Sequence, residues 1–368
     1  MIKILLTGDL HLGRSYQKED PEVAARYREA RMQALRNAVA VGNGEGCGFL
    51  VIAGDLYDKV RGIPATLHRE ACGALGEFGG HVLVLPGNHD YYSGEGDLLW
   101  KKFEEYSPSN TRVLKEGRPY SLGEVDFYPC PCHDKHSAGN ALGWLGDGAA
   151  GDPARYRVGI AHGALEGLSL DQDQRYYPMT LGELESKGMD VWLLGHTHVP
   201  YPPAPEDVPG QRVFNAGTPQ QTDMADHATG EVFVIEIAGD KSVRARRRET
   251  GVIRFAQRAV EVGRGEDLRR ALAFPDPDPA AVSLRVLLSG TAAAGDYEDR
   301  QAIYRQAGRG YLSFEVRDSG LRQEITPQMI DRETVPGSLL HRLLADYGED
   351  AELLDLAFGL MLACKEEG

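Results

Sequence analysis

The first half of the chain contains short apolar runs, each of which ends in polar residues. Segments with helical patterns separate the runs IKILLT, FLVIAG, HVLVLPG, RYRVGIAHG and DVWLLG. Continuous apolar runs of about four to eight residues that alternate with helices are typical of strands buried on both faces of an α/β sheet. The pattern therefore predicts an α/β fold for this part of the chain.

The segments between the runs carry helix signals. In DPEVAARYREARMQALRNAV, Asp20 suits the N-cap and Pro21 the first turn, and the glycines from Gly42 to Gly48 end the helix. The inward stripe of this helix comprises Val23, Tyr27, Ala34, Leu35 and Ala38. Further helices are predicted near Pro64, around DLLWKKFEEY and in TLGELESKG.

The remaining pattern predicts additional strands and a second domain. The segments RVFNAG, EVFVIEIAG and KSVRARRRET are expected to form a second sheet that packs on the first, the last two as a hairpin. Composition changes near Gly251, so we place a catalytic domain at 1–250. The next part, 251–330, reads as a small βαβαβ unit.

The C-terminal segment, 331–368, is predicted to form two helices. In the last one, apolar residues repeat at helical spacing: Leu353, Leu356, Ala357, Leu360, Met361 and Cys364. Two interpretations stay open, since the stripe can pack against the chain's own domain or dock on a partner.

Composition and charge argue against a membrane-spanning protein and against a strongly basic nucleic-acid-binding protein. The 368 residues are 42% apolar and 26% charged, and no stretch has the length of a membrane span, about 18 apolar residues. The start, MIKILLTGDLHLG, is too short an apolar run for a signal peptide, so we expect a cytoplasmic protein. The net charge of −15 argues against binding nucleic acid by bulk electrostatics but leaves room for a local basic face.

The five cysteines form no repeated pair spacing, which argues against a disulfide framework. The segment CPCHDKH, with Cys130, Cys132, His133 and His136, offers thiols and imidazoles for a soft metal. A zinc site normally needs two spaced ligand pairs, so a strand end that carries thiols is the favoured interpretation.

The polar residues at the strand ends are the types that bind metals. They are Asp9, His11, Asp55, Asn88, His162, His196 and His198. Sites in open α/β sheets lie beyond the carboxyl ends of the strands. If Asp55 bridges two cations through its two oxygens, the set provides eight bonds, four for each metal. Imidazole, carboxylate and amide ligands without thiolate favour manganese, iron or zinc, and two such ions are suited to displacement at phosphorus.

Several neighbouring residues are candidates for further roles. His89 is a candidate general acid for the leaving alkoxide, and Asp58 is placed to orient it, although a loop-capping carboxylate is the alternative. Asp90 is expected to hold the turn after Gly87. The histidines without strand-end partners are expected to be surface or packing residues: His68, His81, His133, His136 and His227.

Basic residues provide candidates for phosphate contacts. Arg14 follows the first motif and is the one placed near the metals by the sequence. The other candidates more often form solvated faces: Arg26, Arg28, Arg31 and Arg36 on the first helix, and RARRR from Arg244 to Arg248.

The motifs GDLHLG, GDLYD, GNHD, AHG and GHTHVP, in this order within residues 7–200, resemble those of calcineurin-like metallophosphoesterases. Within that superfamily, TGDLHLGR and NAGTPQQ are similar to SbcD-type DNA repair nuclease subunits. The resemblance implies a four-layer αββα sandwich and two Mn²⁺ ions, with Fe²⁺ or Zn²⁺ as other choices. It assigns the first ion to Asp9, His11, Asp55 and His198, and the second to Asp55, Asn88, His162 and His196.

The resemblance also implies a function and partners. His89 would be the catalytic histidine, residues after 250 a DNA-capping domain, and the C-terminal segment a docking site for an SbcC-like coiled-coil ATPase. The reaction would be exonucleolytic or endonucleolytic phosphodiester hydrolysis in DNA; a homodimer is one possible assembly. The alternative is the same dimetal chemistry on a small substrate such as a cyclic nucleotide. An interaction protein with a vestigial site is disfavoured, because every ligand type is present.

Overall fold

The predicted strands are present, and in the first part of the chain they divide between two sheets. The computed structural model describes residues 1–147, 152, 154–168, 175–225, 228–346 and 351–366. Two compact units, Met1–Phe255 and Ala256–Gly368, make up the chain. The separation of the second unit into a domain at 251–330 and a helical segment at 331–368 stays a prediction.

The first sheet has six strands in the order β11-β10-β1-β2-β3-β4. Their bounds are β1 Ile2–Thr7, β2 Phe49–Ile52, β3 His81–Val84, β4 Thr111–Val113, β10 Glu231–Ile237 and β11 Val243–Glu249. Strands β1 to β4 run parallel, so their carboxyl ends lie at one edge. Strand β10 pairs antiparallel with β1, with Ile4 opposite Ile235.

The expected place of the hairpin was therefore wrong. Strands β10 and β11 extend the first sheet instead of belonging to the second. The apolar pattern predicts that a strand is buried on both faces, but it carries no signal for which distant strand will pair with it.

The second sheet has five strands in the order β5-β6-β7-β8-β9. Their bounds are β5 Tyr120–Leu122, β6 Val125–Cys130, β7 Tyr156–His162, β8 Val191–Gly195 and β9 Val213–Asn215. Strands β6 to β9 are parallel. The predicted strand around RVFNAG is confirmed as β9 in this sheet.

Helices and cores complete a four-layer αββα sandwich. The outer face of the first sheet packs on α1 Pro21–Gly44, α2 Ala65–Gly76 and α3 Leu98–Tyr106. Residues such as Leu6, Val158 and Phe233 fill the space between the sheets. The second sheet packs its other face on α4 Leu181–Ser186. The predicted four-layer fold class is confirmed.

The predicted helix signals also act as expected. The Asp20 carboxylate accepts a hydrogen bond from the N–H of Glu22, and Pro21 opens α1. In α4, Thr180 and Glu183 form a capping box, in which each side chain accepts from the other residue's backbone N–H.

The second unit contains the predicted small α/β region. Strands β12 Arg254–Val262, which begins in the first unit, β13 Val282–Ala292 and β14 Ser313–Gln323 pack on α5 Leu268–Ala271, α6 Ala294–Glu298 and α7 Arg300–Ala307. The helix expected in GEDLRRALAF is a single turn, α5. Three helices follow: α8 Pro327–Glu333, which was not predicted, α9 Leu339–Asp346 and α10 Ala351–Glu366. Among the described residues, no helix has the length and apolar character needed to cross a membrane.

Candidate metal centre

Every predicted metal ligand lies at or just after the carboxyl end of a strand, and both sheets contribute. Asp9 and His11 follow β1, Asp55 follows β2 and Asn88 comes after β3, while β7 ends at His162. The pair His196 and His198 follows β8. The structure therefore brings all seven side chains to the place where the carboxyl ends of the two sheets meet.

The backbone at this place adopts a strained conformation. Seven non-glycine residues in the described ranges have positive φ, and five are predicted ligands: Asp9, His11, Asp55, His196 and His198. Left-handed backbone at such residues costs about 1–3 kcal/mol each and is concentrated at functional sites. The strain turns successive side chains of a short loop toward one point.

One group of side chains surrounds the position expected for a first cation. The Nε2 atoms of His11 and His198 lie 3.0 Å apart. Asp9 Oδ1 is 3.7 Å from His198 Nε2, and Asp55 Oδ2 is 3.7 Å from His11 Nε2. These are the residues that the resemblance assigned to the first ion.

A second group lies beside the first and shares one carboxylate with it. Asn88 Oδ1 is 2.9 Å from His162 Nε2 and 3.1 Å from His196 Nδ1. Asp55 Oδ2 is 3.4 Å from His162 Nε2, so this single oxygen faces both groups. The other oxygen, Oδ1, accepts a hydrogen bond of 2.8 Å from the N–H of His89. The expected bridging of two cations by the Asp55 carboxylate stays a prediction.

The donor set fits divalent cations. The ring of His162 donates from Nδ1 to the Ala53 carbonyl oxygen over 2.8 Å, which leaves the Nε2 lone pair for a metal. Asp9 Oδ1 is fully buried and has no hydrogen-bond partner among the described residues. A buried, unpaired carboxylate oxygen is costly unless a cation balances it. Among the described residues, three overlapping groups have ligand atoms within 4.8 Å of one another, and two of these groups consist of predicted ligands.

Electrostatics at the centre prepares the ligands to bind cations. Burial raises the pKa of Asp9 to about 7, and the charge of Asp55 acts in the same direction. Burial also raises the pKa of Asp55, but the neighbouring histidines, His162 first, outweigh it and hold that pKa below its usual range. Burial lowers the pKa of His11 and of His198, so both rings are neutral near pH 7 with a free lone pair.

His162 behaves differently from these two histidines. Burial lowers its pKa, but the negative charge of Asp55, together with that of Asp9, raises it to about 9. A cation that binds between these carboxylates competes with that proton, so metal binding will release protons from the site.

The candidate acid, His89, lies at the edge of the centre. Its ring centroid is 4.8 Å from that of His11, and it donates from Nδ1 to the Asp58 carbonyl oxygen over 3.0 Å. The Asp58 carboxylate points elsewhere, with Oδ1 3.4 Å from His11 Nδ1. Asp58 thus contacts His89 through its backbone and His11 through its side chain, whereas the sequence suggested a side-chain contact with His89.

Asp90 fixes the loop that carries Asn88 and His89. Its buried carboxylate accepts hydrogen bonds from the N–H groups of Gly87 at 2.7 Å and Tyr57 at 3.0 Å. The Trp100 indole donates to its backbone carbonyl over 2.6 Å. The predicted role in the turn is confirmed, and the contact with Tyr57 also links this loop to the one that carries Asp55.

The basic candidates for phosphate contacts differ in their surroundings. Arg14 is half-buried and its charge lowers the pKa of Asp58, so it lies beside the centre. In the run from Arg244 to Arg248, Arg246 and Arg248 form ion pairs with Glu45, and Arg247 pairs with Glu206. Much of the charge of this run is therefore balanced locally.

The segment CPCHDKH is the other candidate metal site that the sequence raised. Cys130 and Cys132 are buried, and no group of metal-ligand side chains found among the described residues includes either one. His68 is a packing residue that lies 2.9 Å from the Tyr57 hydroxyl, and His81, His133 and His136 are exposed. His227 lies outside the described residues.

Two residues near the centre were missed by the sequence argument. The Tyr176 ring packs on that of His196 with centroids 5.3 Å apart. Arg31, expected on a solvated helix face, is buried and donates to the Leu10 carbonyl. Arg31 could have been identified as buried, because it occupies an inward position of the helix. Tyr176 lies in a loop without any periodic pattern, so no sequence signal pointed to it.

Comparisons with known proteins identify a matching family, one curated relative and one solved structure. A family model described as calcineurin-like phosphoesterase matches residues 2–200. The uncharacterized metallophosphoesterase YhaO of Bacillus subtilis (strain 168) is 29% identical over 200 residues, which cover 52% of this chain and 47% of that protein. The chain thus matches about half the length of this relative. A solved structure of YfcE, a phosphoesterase from E. coli, matches 68% of this chain and 100% of that chain, with 13% identity and a TM-score of 0.27.

Proposed function

This chain belongs to the calcineurin-like phosphoesterase family, and we propose that it is a DNA nuclease that hydrolyses phosphodiester bonds during the processing and repair of DNA ends. Phosphoester hydrolysis with divalent metals is the chemistry of the family. The DNA substrate is our proposal, and it rests on the similarity of TGDLHLGR and NAGTPQQ to SbcD-type nucleases.

The observation that carries the phosphodiesterase chemistry is the convergence of the two ligand groups on Asp55 Oδ2. Two divalent ions held there would supply an acidified water and neutralise charge on the phosphate. The mixture of imidazole, carboxylate and amide ligands suits Mn²⁺, with Fe²⁺ or Zn²⁺ as the other candidates.

The residues around the centre provide the remaining functions. Because the Asp58 carbonyl accepts the Nδ1 proton of His89, the opposite nitrogen, Nε2, is left to exchange a proton with the substrate. We assign to it the protonation of the leaving oxygen. Arg14, beside the first loop, is our candidate for a contact with a neighbouring phosphate.

The NAGTPQQ segment anchors the backbone at the end of the first unit through two glutamine side chains. The Gln220 amide accepts hydrogen bonds from the N–H groups of Val252 and Ile253. Gln221 pairs with Phe255, accepting from its N–H and donating to its carbonyl. The two glutamines thus fix the backbone just before the second unit begins at Ala256.

We further propose that the C-terminal helices dock on a coiled-coil ATPase of the SbcC type. Helix α10 buries Leu354, Phe358 and Met361 against its own small core. On the same helix, Leu356 and Leu360 stay 60% and 59% exposed. Helix α9 similarly exposes Leu339 and Leu343, and we assign these exposed leucines of both helices to the contact with the partner.

The test is a cleavage assay with purified chain and Mn²⁺, which compares linear double-stranded DNA with a cyclic nucleotide. We expect DNA cleavage, and we expect His89→Ala to lower its rate by about 10²- to 10⁴-fold while metal content is unchanged. His81→Ala, at an exposed histidine that begins β3, is the matched control and should keep full activity.

One result would contradict the DNA substrate, and another would contradict only the role of His89. A wild-type chain that cleaves the cyclic nucleotide but leaves DNA intact would favour a small-substrate phosphodiesterase. Full turnover by His89→Ala would remove the assigned role of His89 but not the nuclease.

A further inference from the structure

Arg31 is a buried arginine on the inward face of α1. Its side chain is 2% exposed, whereas Arg26 and Arg28 on the same helix are exposed to solvent. Burying a guanidinium without a partner carboxylate costs several kcal/mol, at an order of magnitude. Within the described ranges, no carboxylate lies within ion-pair distance of Arg31. An ion pair therefore does not explain why this guanidinium is buried.

The hydrogen bonds of Arg31 lead directly to the first metal-binding loop. Its Nη1 donates to the Leu10 carbonyl over 2.8 Å, and its Nε donates to the Tyr16 hydroxyl over 2.6 Å. Leu10 lies between Asp9 and His11, the two ligands that this loop provides. The side chain therefore reaches the loop from the helix side.

The loop needs such support because its backbone is strained. Asp9 and His11 have φ of 53° and 46°. On one side, the loop donates from the N–H of Asp9 to the Gly54 carbonyl at 3.0 Å and from that of His11 to the Asp55 carbonyl at 2.9 Å. On the other side, Arg31 holds the carbonyl of Leu10, so the strained segment is fixed from both directions.

We propose that Arg31 is a positioning residue that holds the Leu10 carbonyl and thereby keeps Asp9 and His11 directed at the same cation. The inference deepens the proposed function because it rests on the metal centre, but it does not depend on DNA being the substrate. Residues that orient metal ligands through hydrogen bonds typically change metal affinity by about 10- to 100-fold when they are replaced.

An effect of the Arg31 charge and an effect of Arg31 on loop position predict opposite changes in Mn²⁺ affinity, so a substitution can distinguish them. The positive charge of Arg31 lies near a cation site, so its charge alone would weaken metal binding. Arg31→Met removes the charge and keeps an apolar chain of similar length. If only charge matters, this variant binds Mn²⁺ more tightly; if Arg31 positions the loop, it binds the first Mn²⁺ more weakly by about 10- to 100-fold.

The measurement is titration calorimetry of the full chain with Mn²⁺ after metal removal, with the melting temperature of the metal-free protein recorded alongside. The matched control is Arg28→Met, which removes an exposed arginine from the same helix and should leave Mn²⁺ affinity unchanged. The absorption spectrum of bound Co²⁺, which reports ligand geometry, should change for Arg31→Met but not for the control.

A folded Arg31→Met variant with unchanged or tighter Mn²⁺ binding would overturn the proposal, as would a loss of melting temperature without a loss of affinity. If this variant does not fold, Tyr16→Phe removes the hydroxyl that accepts from Nε; it should weaken Mn²⁺ binding in the same direction, and unchanged affinity would overturn the proposal. A wild-type chain that binds no Mn²⁺ overturns it together with the metal centre. If the chain binds Mn²⁺ but leaves DNA intact, only the proposal that DNA is the substrate is overturned.

Discussion

Replacing Gly54 with alanine should disable the second group of ligands. Gly54 has φ of +98°, and a Cβ built on it would lie 2.1 Å from Nδ1 of His162 and 2.5 Å from its Cγ. Ordinary contacts between carbon atoms are about 3.5–4.0 Å, so the ring would have to move by more than an ångström. That shift breaks the 2.8 Å hydrogen bond from His162 to the Ala53 carbonyl.

The magnitude follows from two contributions. Positive φ at a residue with a side chain costs about 1–3 kcal/mol, and overpacking a close-packed interior costs about 1–3 kcal/mol. Gly54→Ala should therefore lower the free energy of unfolding of the first unit by about 2–6 kcal/mol. Because His162 loses its orientation, affinity for the second Mn²⁺ should fall by about 10- to 100-fold.

Urea denaturation measures the first effect, and calorimetric titration with Mn²⁺ measures the second. Gly73→Ala is the matched control, because Gly73 is an exposed residue of α2 whose Cβ would meet nothing within 4 Å. That substitution should stabilise the protein by about 0.5–1 kcal/mol and leave metal binding unchanged. Wild-type Mn²⁺ affinity in folded Gly54→Ala would refute the argument that close approach of Gly54 fixes His162.

Two further predictions concern the rest of the first unit and the thiols. Trp100→Phe removes the indole donor to the Asp90 carbonyl and should destabilise the protein by about 1–3 kcal/mol in the same urea assay; an unchanged midpoint would show that this bond does not anchor the loop. With a thiol reagent at pH 8, Cys364 should react at once because it is exposed, and the buried thiols only on unfolding, since burial raises the pKa of Cys130, for example, to about 12. If more than one thiol reacted rapidly with the reagent before unfolding, this would contradict the burial of Cys47, Cys72, Cys130 and Cys132.

Local patterns in the sequence were sufficient to place most helices and strands and to identify the residue types at the strand ends. Helix α1 could be placed from Asp20, Pro21 and the inward stripe, because capping and periodicity are local properties. The metal-ligand side chains could be proposed because the carboxyl ends of parallel strands gather at one edge.

Features that depend on contacts between distant segments could not be predicted from local patterns. Pairing of β10 with β1, about 230 residues away, placed the hairpin in the first sheet, and no local pattern specifies such a partner. Packing also turned Asp55 so that one oxygen faces both ligand groups, and it turned the Asp58 carboxylate toward His11. Arg31 is a further example. Its inward position on the helix can be inferred from the sequence, but the Leu10 carbonyl that it binds is brought close only by folding.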